Sequence, residues 1–403
     1  MLITVKIKEQ TAYVKMKYWL REDIDMKKIL ALCLTVIMLL SVLTACNVTE
    51  NGTNVDDVDN GKNNSSNEND SNSDNTNNDD KSDDGNTSDV VDPCEGKHVL
   101  ENAKCIVCGA NFNSISEEGL WFVMNEDMAG YTLMGGQSCK VPDIVISYHN
   151  GLPVTAIADK ALSFNGVVEN ITIGNTVKSI GTLAFYSSKV NSVTFEDNNS
   201  IEFIGDKAFA NCFNLVTVDF GKNSSLETIG LEAFSWCTKL QSVEIPASLT
   251  SMGEKAFDNC TSLKSLTFEA NSKLEVIPES AFAEAVIESL EIPASVKSIG
   301  RNAFEENYRL KSLTFEEGSK LETIGNAAFS GCIELAEIKI PNSVTSIVNA
   351  AFSQCQCLTS VIFENPNGWS ADGTAISNSD LSNPQKAAEY LISTYKYAVW
   401  SRD

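Results

Sequence analysis

The sequence predicts a repeat solenoid: short parallel strands joined by short helical turns, stacked into a rod with a cap at each end. Three observations carry that prediction. One is a word that recurs at a fixed period, as in KAFANC (207–212), EAFSWC (232–237), KAFDNC (255–260), AAFSGC (327–332) and AAFSQC (350–355). The residue after each repeat's Ala is Leu162, Phe185, Phe209, Phe234, Phe257, Phe282, Phe304, Phe329 or Phe352, at gaps of 22–25 residues. Another is the strand-like segment after each word, such as Leu240-Gln-Ser-Val243-Glu-Ile245, where apolar and polar residues alternate with period two. The last is unit size. A unit of this length cannot bury its apolar face alone, but stacked units can, with the Phe residues forming a ladder.

Each unit has three parts. A short apolar pair opens it, such as Val296-x-x-Ile299 or Leu321-x-x-Ile324, often followed by Gly. In the Ala-Phe word, Phe and the residue three later share a helical face, so a helical turn is expected there. The strand follows, and Pro246, Pro293 or Pro341 ends several of them. Units with the Pro-x-Ser-Val turn alternate with longer ones that run through Phe-Glu-x-x-Ser-x-Leu-Glu.

Ahead of the repeats the chain changes character several times. Residues 1–25 are expected to be an upstream start that translation does not use, with initiation at Met26. Residues 26–45 carry a basic start, the apolar run Ile29–Leu40 and small residues, the pattern of a secretory signal. Leu43-Thr44-Ala45-Cys46 resembles the bacterial lipobox, which implies lipidation at Cys46 and anchoring to a membrane. The alternative is a buried Cys after an anchor helix, although the run is shorter than a membrane helix needs. Residues 46–93 are an expected disordered acidic tether. Over 47–92 there are 13 Asn, 11 Asp and 2 Glu against 2 Lys, a net charge of −11, with too little apolar surface to offset chain entropy.

Residues 94–110 hold Cys94-x3-His98-x6-Cys105-x2-Cys108-Gly109. Three Cys and one His at this spacing suit a tetrahedral structural zinc in a small ribbon-like knuckle, with no open position for substrate. A disulfide is the alternative in an exported protein. The recurrent cysteines of the repeats are read as space-filling core thiols, because Asn165, Ser188, Ala285 and Asn307 replace them without breaking the period. Neighbouring pairs such as Cys212–Cys237, Cys237–Cys260 and Cys332–Cys355 are close enough for a disulfide as the alternative. Cys139 and Cys357 are assigned no role.

The words SIGTLAF (179–185), TIGNAAF (323–329), CTSLKSLTF (260–268) and SLEIPASVKSIG (289–300) resemble the BspA-like leucine-rich repeat family of bacterial surface proteins. The resemblance covers about residues 119–403. It implies a solenoid of the leucine-rich-repeat type over 151–364, an N-terminal cap over 111–150 and a C-terminal cap over 365–403. In the last, Asn383 as N-cap and Pro384 at the first helical position predict a helix. The resemblance further implies a protein of the bacterial cell surface that binds extracellular or host proteins or glycans, and the lipobox adds a lipid anchor at Cys46. Leu162 in place of Phe departs from the pattern at an end unit.

One outward column of the strands runs through Ser192, Thr217, Ser242, Ser265, Ser289 and Ser312. Its neighbour runs through Thr194, Asp219, Glu244, Thr267, Glu291 and Thr314. These belong to a candidate binding face of hydroxyls and acids, expected to be nearly flat and, over all nine rungs at ~4.8 Å per strand, about 40 Å long. A plain solvated face of strand-forming residues is the alternative. Trp236 and Tyr308 are further aromatic candidates. A net charge of −24 argues against nucleic acid, which needs clustered Lys and Arg. The two histidines, His98 and His149, lie outside the repeats, and no nucleophile, phosphate-loop or zinc-protease motif occurs, so no enzyme is expected. A passive envelope component needs the same core and remains the alternative function.

Overall fold

The computed structural model describes residues 100–101, 104–105 and 113–402. The calls on residues 1–25, the signal 26–45, Cys46 and the tether, and most of the 94–110 knuckle, lie outside the described residues. What is described is a parallel solenoid. Each rung contributes one strand to a front sheet, one shorter strand to a back sheet, and a turn region between them. Front strands include Asn170–Ile173, Ser192–Phe195, Ser242–Ile245, Ser265–Phe268, Ser289–Ile292 and Ser312–Phe315. Back strands are two residues long, as in Ser179–Ile180, Thr228–Ile229 and Ser298–Ile299.

The core lies between the sheets and the turns. Phe185, Phe209, Phe234, Phe257, Phe282, Phe304, Phe329 and Phe352 are all fully buried. They stack face to face from rung to rung, with centroids 4.8–5.5 Å apart and planes within 2–9°. The rise per rung thus sets the ring spacing, and a planar side chain fills such a column without gaps.

The Ala-Phe word is not the helical turn expected from its spacing. Its N–H groups alternate in role. Ala208, Ala210 and Cys212 bond back three residues within the rung, whereas Lys207, Phe209 and Asn211 donate to Leu231, Ala233 and Ser235 of the next rung. That alternation requires left-handed backbone at two positions four residues apart, and Lys207 (φ 54°) and Asn211 (φ 60°) supply it. The same pair recurs as Glu232 and Trp236, Lys255 and Asn259, and Ser280 and Glu284. A helix would spend every N–H inside its own rung, and lateral pairing with the neighbour wins.

The ladders are interrupted once in the back sheet and three times in the front sheet, each time at a proline. On the back sheet, Gly230, Gly253, Gly300 and Gly325 each donate to the preceding rung, for example Gly253 to Ile229 at 2.7 Å. At Gly253 the fit is close, since a Cβ there would lie 2.4 Å from the Gly230 carbonyl carbon, while Val348 makes the same donation, to Ile324, in the last rung. Pro278 occupies that place in one rung and has no N–H, and the back sheet divides between Ser251–Met252 and Val276–Ile277. On the front sheet, Glu269 donates to Ile245, Glu316 to Ile292 and Glu364 to Ile340. The equivalent residues Pro246, Pro293 and Pro341 cannot donate, so the strands before them part.

The ends are closed differently. At the N-terminal end, strands Asn113–Ile115, Trp121–Met124 and Tyr131–Gly135 extend the back sheet. His149 stacks on Phe122 at 4.1 Å and hydrogen-bonds the Ser114 hydroxyl at 2.6 Å, tying that end together. At the C-terminal end, buried Trp369 and Trp400 pack on Phe363. The helix Pro384–Glu389 begins at Asn383, whose Oδ1 accepts from the N–H of Gln385 and Lys386.

Candidate binding face

The front sheet brings the two outward columns into register. Ser192 stands beside Thr217, Ser242 beside Ser265, and Ser289 beside Ser312; Thr194 stands beside Asp219, Glu244 beside Thr267, and Glu291 beside Thr314. Side chains alternate in burial along each strand, so Ser242 and Glu244 are exposed over buried Val243 and Ile245. The twelve candidate positions therefore share one face.

That face is not the nearly flat surface expected. The ladder runs unbroken from Asp143–Ile146 to Thr217–Asp219, and beyond that it is complete only within three pairs of rungs, such as Ser242–Ile245 with Ser265–Phe268 and Ser289–Ile292 with Ser312–Phe315. Between pairs it opens. Thr217–Asp219 meets the next strand only at Thr217 and Ser242, and Ser265–Phe268 meets its neighbour only at Ser265 and Ser289. Ser312–Phe315 and Glu337–Ile340 fall in separate sheets. Each opening precedes a proline and holds a groove. Asp219, Phe220, Glu244, Pro246 and Glu269 line the first, Phe268, Glu291, Pro293 and Glu316 the second, and Phe315, Glu316, Lys339, Pro341 and Glu364 the third.

The sequence reading missed Glu269, Glu316 and Glu364. Each follows a Phe, and each turns a carboxylate back to the N–H just after the preceding rung's proline: Ala247, Ala294 and Asn342, all at 2.9 Å. The alternation of Phe-Glu words with Ile-Pro words was the available signal. The Lys339 ammonium and the Asn342 N–H hold the Glu364 carboxyl below its ordinary range, the lysine contributing most.

The repeat cysteines have a role beyond filling space. Cys212, Cys237, Cys260, Cys332 and Cys355 are free and buried, and each thiol donates to the carbonyl of the preceding rung's Phe, at 3.1–3.5 Å. Asn307 does the same through Nδ2 to Phe282 at 2.8 Å, which explains why Asn can replace Cys there. Burial pushes the Cys212 thiol up to about 11 and Cys355 up to about 12, so neither is a nucleophile at neutral pH. Cys357 is exposed and Cys139 buried.

The aromatic candidates lie away from the front sheet. Trp236 and Tyr308 sit in the turn region, each 43% exposed. Trp236 has left-handed backbone and donates its N–H to Asp258 of the next rung. Burial pushes the Asp258 carboxyl up to about 6. Of the expected zinc ligands, Cys94, His98 and Cys108 lie outside the described residues. Cys105 stands on strand Lys104–Cys105, which pairs antiparallel with Leu100–Glu101. Cys46 also lies outside. Among the described residues no group of three or more His, Cys, Asp or Glu is placed to hold a metal.

No curated protein matches the chain. Among solved structures, the leucine-rich repeat protein of T. pallidum shares 23% identity over 55% of this chain and 90% of its own, with a TM-score of 0.41. A leucine rich cell surface protein of Faecalibacterium prausnitzii shares 22% over 64% of this chain and 96% of its own, with a TM-score of 0.27. The pneumococcal vaccine antigen PcpA shares 21% over 64% and 82%, with a TM-score of 0.35. A family model for the BspA type leucine-rich repeat region matches in six copies over residues 155–276 and 275–389. With its period, Phe column and parallel rungs, the chain belongs to the BspA-type leucine-rich repeat family.

Proposed function

We propose that this is a lipid-anchored cell-surface binding protein that presents its front sheet to an extracellular protein or glycan. The observation that carries the reading is the front sheet itself. Its exposed Ser, Thr and acidic side chains are held in register on a rigid frame, and solenoids characteristically use such extended faces for recognition. Lipidation at Cys46, with residues 46–93 as tether, would hold that face away from the membrane. A structural zinc on Cys94, His98, Cys105 and Cys108 completes the proposal. The antiparallel pair between His98 and Cys108 supports it by turning the chain back on itself. Measured zinc near one per chain, lost on Cys105→Ser, is the expected result.

Binding is tested by presenting the full chain to an array of extracellular matrix proteins, mucins and envelope glycans. The expected result is a saturable ligand that Ser265→Arg or Thr267→Arg abolishes while the melting temperature is kept. A folded chain that binds nothing on the array would favour a passive envelope component. A ligand lost only when Trp236 or Tyr308 is changed would move the site to the turn region.

A further inference from the structure

From Ser242 onward the front sheet repeats in pairs of rungs, so equivalent positions can be compared within one molecule. In the last pair Lys339 stands opposite Ile362, and its Nζ lies 2.6 Å from Oε1 of Glu364, two residues farther along the partner strand. In the two preceding pairs the Glu is kept and the Lys is not. Glu244 stands opposite Thr267, with Glu269 two residues on, and Glu291 stands opposite Thr314, with Glu316 two residues on. Glu269 and Glu316 each still use one oxygen to cap a backbone N–H, as Glu364 does. The ion pairs among the described residues include none of these four carboxylates. The scaffold therefore supplies a cation once for itself, and in two equivalent places carries a carboxylate at the register position of that lysine, with the lysine's partner carboxylate kept. Both places open onto a groove.

We propose that Glu244 with Glu269, and Glu291 with Glu316, are two equivalent subsites for Lys or Arg side chains of one extended peptide lying along the solenoid axis. The proposal rests on the reading of the front sheet as a binding face. The two subsites are two rungs apart. Rings of those rungs are spaced 5.0 and 5.3 Å in the core, so the subsites are at least about 10 Å apart on the front sheet, which opens between Phe268 and Pro293. A polyproline-II chain advances about 3.1 Å per residue with three residues per turn, so every third side chain points the same way at about 9.3 Å. A β-strand repeats on one side at about 6.8 Å and does not match. The long stems of Lys and Arg absorb the remaining difference. A polyproline-II backbone makes no internal hydrogen bonds, so its carbonyls are free for the hydroxyls of Ser242, Ser265 and Ser289. The partner is thus an extended peptide with a basic residue at every third position.

The test uses the full chain with the synthetic peptide (Pro-Pro-Lys)5 at low salt, with (Pro-Pro-Glu)5 and (Pro-Lys)7 as controls. Saturable binding of the first is expected, with no binding of the second and weaker binding of the third. Glu244→Lys combined with Glu291→Lys copies the Lys339 arrangement into both pairs and should weaken binding about ten-fold or more, since both subsites are lost together. Lys339→Glu makes a third subsite and should tighten binding about three-fold or more, a gain that misfolding cannot produce. Failure of (Pro-Pro-Lys)5 to bind, or equal binding by wild type and the Glu244→Lys/Glu291→Lys variant, overturns the proposal. If an array ligand is lost on Ser265→Arg while the peptide does not bind, the binding face stands and the cation subsites fall. If neither ligand nor peptide responds to substitutions on the front sheet, both fall.

Discussion

Replacing Phe257 with Leu tests whether the aromatic column stabilises the solenoid through contacts between neighbouring rungs. The Phe257 ring is fully buried and stacks on Phe234 at 5.0 Å and Phe282 at 5.3 Å. Each aromatic pair is worth about 0.5–1.5 kcal/mol beyond burial, so two lost stacks cost about 1–3 kcal/mol. Imperfect refilling by Leu adds up to about 1.5 kcal/mol. The expected destabilisation is therefore about 1–4.5 kcal/mol. Phe352, at the end of the column, stacks on Phe329 alone at 5.5 Å, so Phe352→Leu should cost less by one stack, about 0.5–1.5 kcal/mol. Leu162, buried in the first unit, shows that Leu is accommodated where the column ends. The assay is urea unfolding followed by circular dichroism and by tryptophan fluorescence, whose coincidence checks that one transition is being measured. The decisive comparison is the Phe257→Leu/Phe282→Leu double variant. The shared stack can be lost only once, so the double variant should cost less than the two single changes together by about 0.5–1.5 kcal/mol. Strict additivity, with equal losses at Phe257 and Phe352, would refute the ladder as an energetic unit.

Other outcomes follow from single positions. Ala327 has left-handed backbone (φ 51°), a strain of about 1–2 kcal/mol that Gly lacks, less the greater chain entropy of Gly when unfolded. Ala327→Gly should therefore stabilise by about 0.5–1 kcal/mol in thermal melts, and destabilisation would contradict the turn geometry. Burial, opposed by the Asn259 amide and reinforced by Glu284, raises the Asp258 carboxyl to about 6 in the fold, above its unfolded value. The folded state then binds more protons between about pH 4 and 6, so this residue's contribution to stability falls as pH rises through that window and stays lower above it. Asp258→Asn should flatten that fall and be more stable at pH 7 by about 1–3 kcal/mol, with the gain vanishing below about pH 4; a gain independent of pH would exclude the carboxyl as the cause. Pro293→Ala restores an N–H able to reach the Phe268 carbonyl, so stability should change by less than about 1 kcal/mol while a new slowly exchanging amide appears at position 293. Rapid exchange there would mean that proline does not open the ladder. Of the described cysteines, Cys357 should be the first alkylated in native protein, because the repeat thiols are buried. Fast labelling of Cys237 would contradict its place in the core.

Nearly every core position could be read from the chain before folding. A repeat has one way to bury a Phe every 22–25 residues, so the period and the two-residue alternation specify the stack, its inward side and its outward columns. The fully buried Phe ladder and the exposed Ser242 and Glu244 over Val243 and Ile245 follow from that pattern alone. The cap at Asn383 is equally local, since a side chain two residues from the N–H it accepts needs no distant partner.

Contacts between rungs decided the rest. The Ala-Phe word has helical spacing, but its alternate N–H groups find acceptors only on the next rung, and that lateral bonding holds Lys207 and Asn211 left-handed. The Cys-to-Asn exchange looks like simple tolerance of size until the Phe282 carbonyl is seen beside Asn307 Nδ2. Proline at 246, 293 and 341 reads as the end of a strand. Only when the rung before it is in place does the missing N–H become an opening in a sheet, with carboxylates from two different rungs gathered at its edge. Period, burial and facing belong to one unit and are written in its residues. Hydrogen bonds across rungs join atoms some 25 residues apart, and which donor meets which acceptor exists only after the units stack.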